Sequence, residues 1–144
     1  YKDGALELWR GEFGSATPTS TLERTVKLGS QLEGCVFDDA ERRLFIGEEN
    51  HGVWSLDLAD PESVPLEVDS IAAGNGLVAD VEGVSLYLQE DGGGYLVVSA
   101  QEADRYVLYE RQPPHAVVGG FRIAASNDGT VDQNDHRARA GIRV

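Results

Sequence analysis

Apolar and polar residues alternate with a period of two over short stretches of this chain, and helix-length periodicity is scarce. Leu6-Glu7-Leu8-Trp9, Val53-Trp54-Ser55-Leu56 and Tyr106-Val107-Leu108-Tyr109 each read as half-buried strand, and they lie about 50 residues apart. A second repeat is sharper. Leu32-Glu33-Gly34-Cys35-Val36 is echoed by Val81-Glu82-Gly83-Val84-Ser85. A turn follows each copy, Asp38-Asp39-Ala40-Glu41 in one and Glu90-Asp91-Gly92-Gly93-Gly94 in the other. An apolar strand comes next, Leu44-Phe45-Ile46-Gly47 or Tyr95-Leu96-Val97-Val98, and the aromatic-bearing strand comes after it.

Short strands joined by short polar turns predict an all-β fold, and a four-stranded unit of about 50 residues is the size of a propeller blade. The whole chain, 1–144, then reads as part of a single β-propeller domain holding about two complete blades and part of a third. Residues 6–28 would be the outer strands of one blade, 33–71 the second blade and 82–123 the third, leaving 124–144 as loop or tail. A jelly roll or sandwich is the alternative. The self-similarity weighs against it, since sandwich strands need not repeat.

Composition narrows the function classes. Twenty-five acidic residues against 12 basic ones give a formal net charge of −13. Such a surface repels nucleic acid and anionic membranes, so neither is expected as a partner, and no apolar run is long enough to span a bilayer. The acidic surface fits a secreted, periplasmic or extracellular protein. The chain has no methionine, which reads as a processed product or fragment with any targeting signal outside it. Cys35 is the sole cysteine. It lies in the apolar run Cys35-Val36-Phe37 and is expected to be a buried, inert thiol.

The placement of the acids changes the picture further. Glu33 opens one repeat unit and Glu82 the next, with Asp80 two residues earlier, while Glu48 and Glu49 end the second strand of the first complete unit. Innermost strands of a propeller face a common axis, and residues two apart on a strand share a side. Glu33, Asp80, Glu82 and one of Glu48 and Glu49 are therefore expected to converge. Converging carboxylates without cations repel unless protonated or metal-bound, and oxygen-only donors suit calcium or magnesium. The competing reading is that each acid caps a turn or sits in solvent. Phosphate-cradling and zinc-binding loop motifs and the nucleophile elbow are absent. His51, His115 and His136 are read as surface or turn residues, Asp57, Asp60 and Glu62 as turn acids around Pro61, and Trp9 and Trp54 as blade core.

These motifs together resemble the β-propeller phytases. The similarity runs through Leu32-Glu33-Gly34-Cys35-Val36-Phe37-Asp38-Asp39, Leu44-Phe45-Ile46-Gly47-Glu48-Glu49 with Val53-Trp54, and Ala79-Asp80-Val81-Glu82-Gly83-Val84-Ser85-Leu86-Tyr87. It continues through Gly94-Tyr95-Leu96-Val97-Val98-Ser99-Ala100-Gln101, Tyr106-Val107-Leu108-Tyr109-Glu110-Arg111 and Phe121-Arg122-Ile123 with Asp128-Gly129-Thr130, roughly residues 1–132 in all. The resemblance implies a six-bladed propeller, monomeric when complete, that hydrolyses phosphate monoesters of phytate (myo-inositol hexakisphosphate). In that family calcium ions bridge acidic side chains and substrate phosphates, and a calcium-bound water attacks phosphorus. By this resemblance Glu33, Glu48, Glu49, Asp80 and Glu82 match the metal-site motifs, with Glu33, Glu48, Asp80 and Glu82 as the catalytic set and Lys2 as a phosphate contact. Asn50 and His51 stand where the family usually continues with acids. In the divergent tail Asp132 or Asp135 would replace a further acidic ligand. A non-catalytic calcium-binding propeller module, or another calcium-dependent propeller hydrolase such as a lactonase, is the alternative. The isolated chain is expected to be inactive, because basic phosphate contacts and calcium motifs of the family's earlier blades are not in it.

Overall fold

A computed structural model describes residues 2–14 and 16–124, with the backbone of 141–142. The structure is built from antiparallel strands, as the period-two pattern requires. A hairpin pairs β1 (Ala5–Glu12) with β2 (Thr19–Lys27). A four-stranded meander follows, β3 (Leu32–Asp38), β4 (Arg43–Glu48), β5 (Gly52–Asp57) and β6 (Leu66–Ser70). The next meander runs through β7 (Val81–Leu88), β8 (Gly94–Ala100), β9 (Arg105–Glu110) and β10 (Val117–Ala124). Its edge is extended by β11 (Gly141–Ile142), where Ile123 faces Ile142 in register. The positions of Asp132, Asp135 and His136 lie outside the described residues.

The four-stranded sheet is covered on both faces, which is why β4 is buried from Leu44 to Glu48. Its alternate side chains feed two cores. Leu44, Ile46 and Leu56 pack with Val26 of β2 and with Leu6 and Leu8 of β1. Phe45 and Val53 point the other way, against Val81, Leu96, Val98, Val107 and Tyr109 of the second meander. Truncating Phe45, fully buried between the sheets, would cost about 3–5 kcal/mol.

Buried polar bridges fix how the two meanders meet. Arg111, just beyond β9, holds Asp38 at the end of β3 in a bidentate pair, with Nε–Oδ2 and Nη2–Oδ1 both 2.6 Å. The guanidinium holds the Asp38 carboxyl below its ordinary 3.8. The Tyr109 hydroxyl donates to Asp69 Oδ2 at 2.7 Å, and Asn75 donates to the other oxygen at 3.0 Å. Burial first, and Asp69 second, push that phenol upward. His115 sits in the turn after β9 and meets the Phe45 ring edge-on at 5.1 Å. Its Nδ1 is 3.1 Å from the Glu110 carbonyl. A carbonyl only accepts, so Nδ1 carries the proton. Nε2 is then a buried lone pair with no partner among the described residues. Burial lowers the pKa of this ring below its ordinary 6.5.

Two sequence expectations are corrected by these strands. Cys35 is exposed, because Val36 takes the core-facing position of β3 and its neighbours must point away. Trp9 is 55% exposed, because only the first half of β1 lies over the sheet while the second half projects into solvent. Its indole donates to Glu7 Oε2 at 3.0 Å. Trp54, half-buried, does pack against the hairpin-side core.

The bridges predict an acid-side loss of stability in two steps. His115 is depressed, so its contribution is present above its ordinary 6.5 and lost as pH falls through its lowered value. Asp38 is also depressed, so its contribution persists down to about its ordinary 3.8 and is lost below that. Urea unfolding across pH should show both, and Asp38→Ala should cost about 3–5 kcal/mol at pH 7 by stranding a buried guanidinium.

Candidate functional site

The two meanders touch along their first strands, and the Glu-Gly repeats lie on that seam. β3 pairs with β4 in regular register except between Leu32 and Cys35, where Glu33-Gly34 bulges. β7 pairs with β8 regularly except between Val81 and Val84, where Glu82-Gly83 bulges. A bulge re-aims side chains at the end of a ladder, and here it does so at the same step of both sheets. The bulges also abut. A Cβ on Gly34 would lie 2.1 Å from the Glu82 carbonyl oxygen, so only glycine lets the two backbones come this close.

Hydrogen bonds string the remaining acids onto the seam. The Glu49 N–H donates to the Gln31 carbonyl at 2.9 Å, and the Glu49 carbonyl accepts from Val81 N–H at 2.9 Å. The Gln31 side-chain amide donates to Glu33. On the other sheet the Gln101 N–H donates to the Asp80 carbonyl at 2.9 Å. The Gln101 side-chain amide, oriented with its nitrogen toward Glu82, donates to both carboxylate oxygens, 3.1 Å for Oε2.

The five acids differ in setting. Glu33 is exposed, and Glu49, Asp80 and Glu82 are half-buried. Glu48 is buried at 2% exposure, accepting from Ser30 Oγ and Trp54 Nε1, both at 2.7 Å. Among the described residues none of the five forms an ion pair. Backbone contacts thus tie Glu33, Glu49, Asp80 and Glu82 to one seam. Among the described residues, however, no three histidine, cysteine or acidic side chains gather closely enough to hold a metal. Lys2 stands exposed in the turn before β1. Asp57 and Asp60 accept backbone N–H groups of Ala59 and Glu62 at 2.7 and 2.9 Å, which makes them turn acids. His51 stacks on Trp54 at 4.9 Å and meets Glu67 at 2.7 Å. Cys35, Glu33 and Gly34 line a hollow of about 230 Å³ against β1.

Ser30, Gln31 and Gln101 do not stand out in the sequence as partners of these acids. Gln101 carried a signal, a polar residue placed directly after the largely apolar strand β8. Ser30 and Gln31 carried none, since a turn of that composition has many uses.

The chain matches the Phytase family over residues 7–138. It is 36% identical over 134 residues to a 3-phytase of Bacillus subtilis (strain 168), an alignment covering 91% of this chain and 35% of that protein. The chain therefore spans about a third of the length of that relative.

The seam makes the two motif glycines unequal. Gly34→Ala should destabilise by roughly 1–3 kcal/mol through forced backbone separation. A Cβ on Gly83 meets nothing nearer than Ser99 Cβ at 3.5 Å, so Gly83→Ala should stay within about 0.5 kcal/mol of the parent. Paired thermal melts read the difference.

Proposed function

The chain belongs to the phytase family, and from that premise we propose that it forms part of a calcium-dependent β-propeller enzyme that hydrolyses phosphate monoesters of phytate. The observation that carries this reading is the seam, where two Glu-Gly bulges abut beside Asp80 and Glu49 and, among the described residues, no cation pairs with any of these acids. Two meanders packed through their first strands and sharing one core support the propeller.

The donor set is chemically suited to a hard cation, being carboxylate oxygen without thiolate or imidazole. Since no three of the described acids converge, calcium here would take further ligands from elsewhere, water and substrate phosphate included. Glu33, Glu49, Asp80 and Glu82 would hold it, and Lys2 would contact phosphate. Bound calcium would neutralise phosphate charge and polarise a water for attack at phosphorus. This chain's own part is to fix carboxylates on a rigid seam and to orient them through the Gln31 and Gln101 amides. An acidic protein draws a polyphosphate only if metal inverts the local field. The acidic surface favours secretion to the periplasm or the medium, and a closed ring would act as a monomer.

The test uses the protein that carries this chain. Phosphate release from phytate should require calcium and stop in EDTA, and calcium should raise the unfolding midpoint, stabilising the fold by about 2.7 kcal/mol at a hundredfold excess over Kd. Asp80→Ala and Glu82→Ala should each lower turnover by at least the roughly 10–100-fold that loss of an outer-shell partner costs, with the midpoint in EDTA unchanged. Stabilisation by calcium without phosphate release would point to a non-catalytic calcium-binding module. Full turnover in EDTA would sink the calcium reading.

A further inference from the structure

We infer that Glu48 is a positioning residue rather than a ligand, an internal brace that sets the seam on which Glu49 and Glu33 are presented. The inference rests on the calcium reading above for its functional consequence and on hydrogen bonding for its structural part. Glu48 and Glu49 are neighbours in sequence but opposite in setting. Glu48 is buried on β4, and both of its oxygens are engaged. Oε1 accepts from Ser30 Oγ and Oε2 from Trp54 Nε1, each at 2.7 Å. Glu49 is half-buried, and its described hydrogen bonds are made by its backbone.

The brace acts through three steps of the chain. Ser30 fixes the turn into β3. The next residue, Gln31, receives the Glu49 N–H on its carbonyl and gives its side-chain amide to Glu33. Glu49 in turn receives Val81 N–H at the entry to β7, between Asp80 and Glu82. A carboxylate that anchors Ser30 therefore sets Gln31, and through it two acids on one sheet and the approach of the other. The His51 ring, itself bound to Glu67, stacks on Trp54.

Glutamine and alanine separate a brace from a ligand. In Glu48→Gln the amide oxygen can still accept from the Trp54 indole and the amide nitrogen can donate to Ser30 Oγ, which accepts as readily as it donates. The brace survives while the charge is lost. Alanine removes both. The experiment titrates calcium by calorimetry and follows melts in EDTA on the protein that carries this chain. It compares Glu48→Gln, Glu48→Ala and Glu49→Gln. The expected pattern is calcium affinity near the parent for Glu48→Gln and a roughly 10–100-fold loss for Glu48→Ala, as for other outer-shell partners. Glu49→Gln should lose affinity comparably but keep the parent midpoint in EDTA, whereas Glu48→Ala should lower it.

Two results overturn the inference. One is an affinity loss in Glu48→Gln equal to that in Glu49→Gln, with the EDTA midpoint unchanged, which would make Glu48 a ligand. The other is parental affinity and midpoint in Glu48→Ala, which would leave no brace. If the parent itself shows no calcium response, the metal reading fails by itself. The brace is then decided by the EDTA melts together with hydrogen exchange of the Trp54 indole N–H. That proton should be protected in the parent and in Glu48→Gln, and exposed in Glu48→Ala.

Discussion

The packing of this molecule depends on how closely β3 and β7 approach. At Gly34 there is no room for a single methyl group against the Glu82 carbonyl, and that separation fixes where every residue behind it must lie. Phe45 and Val53 can reach Val81, Leu96 and Tyr109 only because the first strands of the two meanders are drawn together. Interiors pack at crystal-like density, so a seam held apart by even one methyl group would be felt through the shared core. The same approach lets one backbone hydrogen bond, Val81 N–H to the Glu49 carbonyl, stitch the sheets together.

Charge completes what packing begins. The Asp38–Arg111 pair spans 73 residues of sequence and ties the far end of β3 to the end of β9. Such a pair adds little net stability over an apolar substitute, but it penalises any arrangement that separates its members. Tyr109 and Asp69 act alike between β9 and β6. Hydrophobic burial thus supplies adhesion between the sheets, and the buried polar bridges select one relative placement of them.

Much of the strand architecture was legible in the sequence because alternation with period two is a direct imprint of a pleated strand with one buried face. The Glu-Gly repeat was legible as a repeat, but its bulge was not. A bulge is a disagreement between two paired strands and appears only when both are present. Cys35 shows the limit from the other side. Three apolar residues in a row look like core, yet adjacent positions on a strand must face opposite ways, and Val36 claimed the inside. Trp9 failed for a reason no local pattern carries, since whether a strand end has a partner sheet over it is a tertiary fact. Asp38 reads as a turn residue, and nothing local joins it to Arg111, 73 residues away. Of the candidate site, the repeated placement of Glu33 and Glu82 was legible and the partners of the acids were not, because Ser30, Gln31 and Gln101 reach them only through the fold.

Those partners bear on how a chain of net charge −13 keeps a set of carboxylates on one seam. The buried acids and the bulge acids are handled differently. Those taken fully inside are engaged by donors, Asp38 by arginine, Asp69 by tyrosine and asparagine, and Glu48 by serine and tryptophan. Those on the bulges keep contact with solvent and have amide rather than cationic partners. An amide orients a carboxylate without supplying a counter-charge, so Glu33 and Glu82 are fixed in direction by neutral partners. Arginine in place of Gln31 or Gln101 would have quenched the seam. Arginine engages the buried Asp38, whereas glutamine orients the acids that stay in contact with water, where an ion pair would add little.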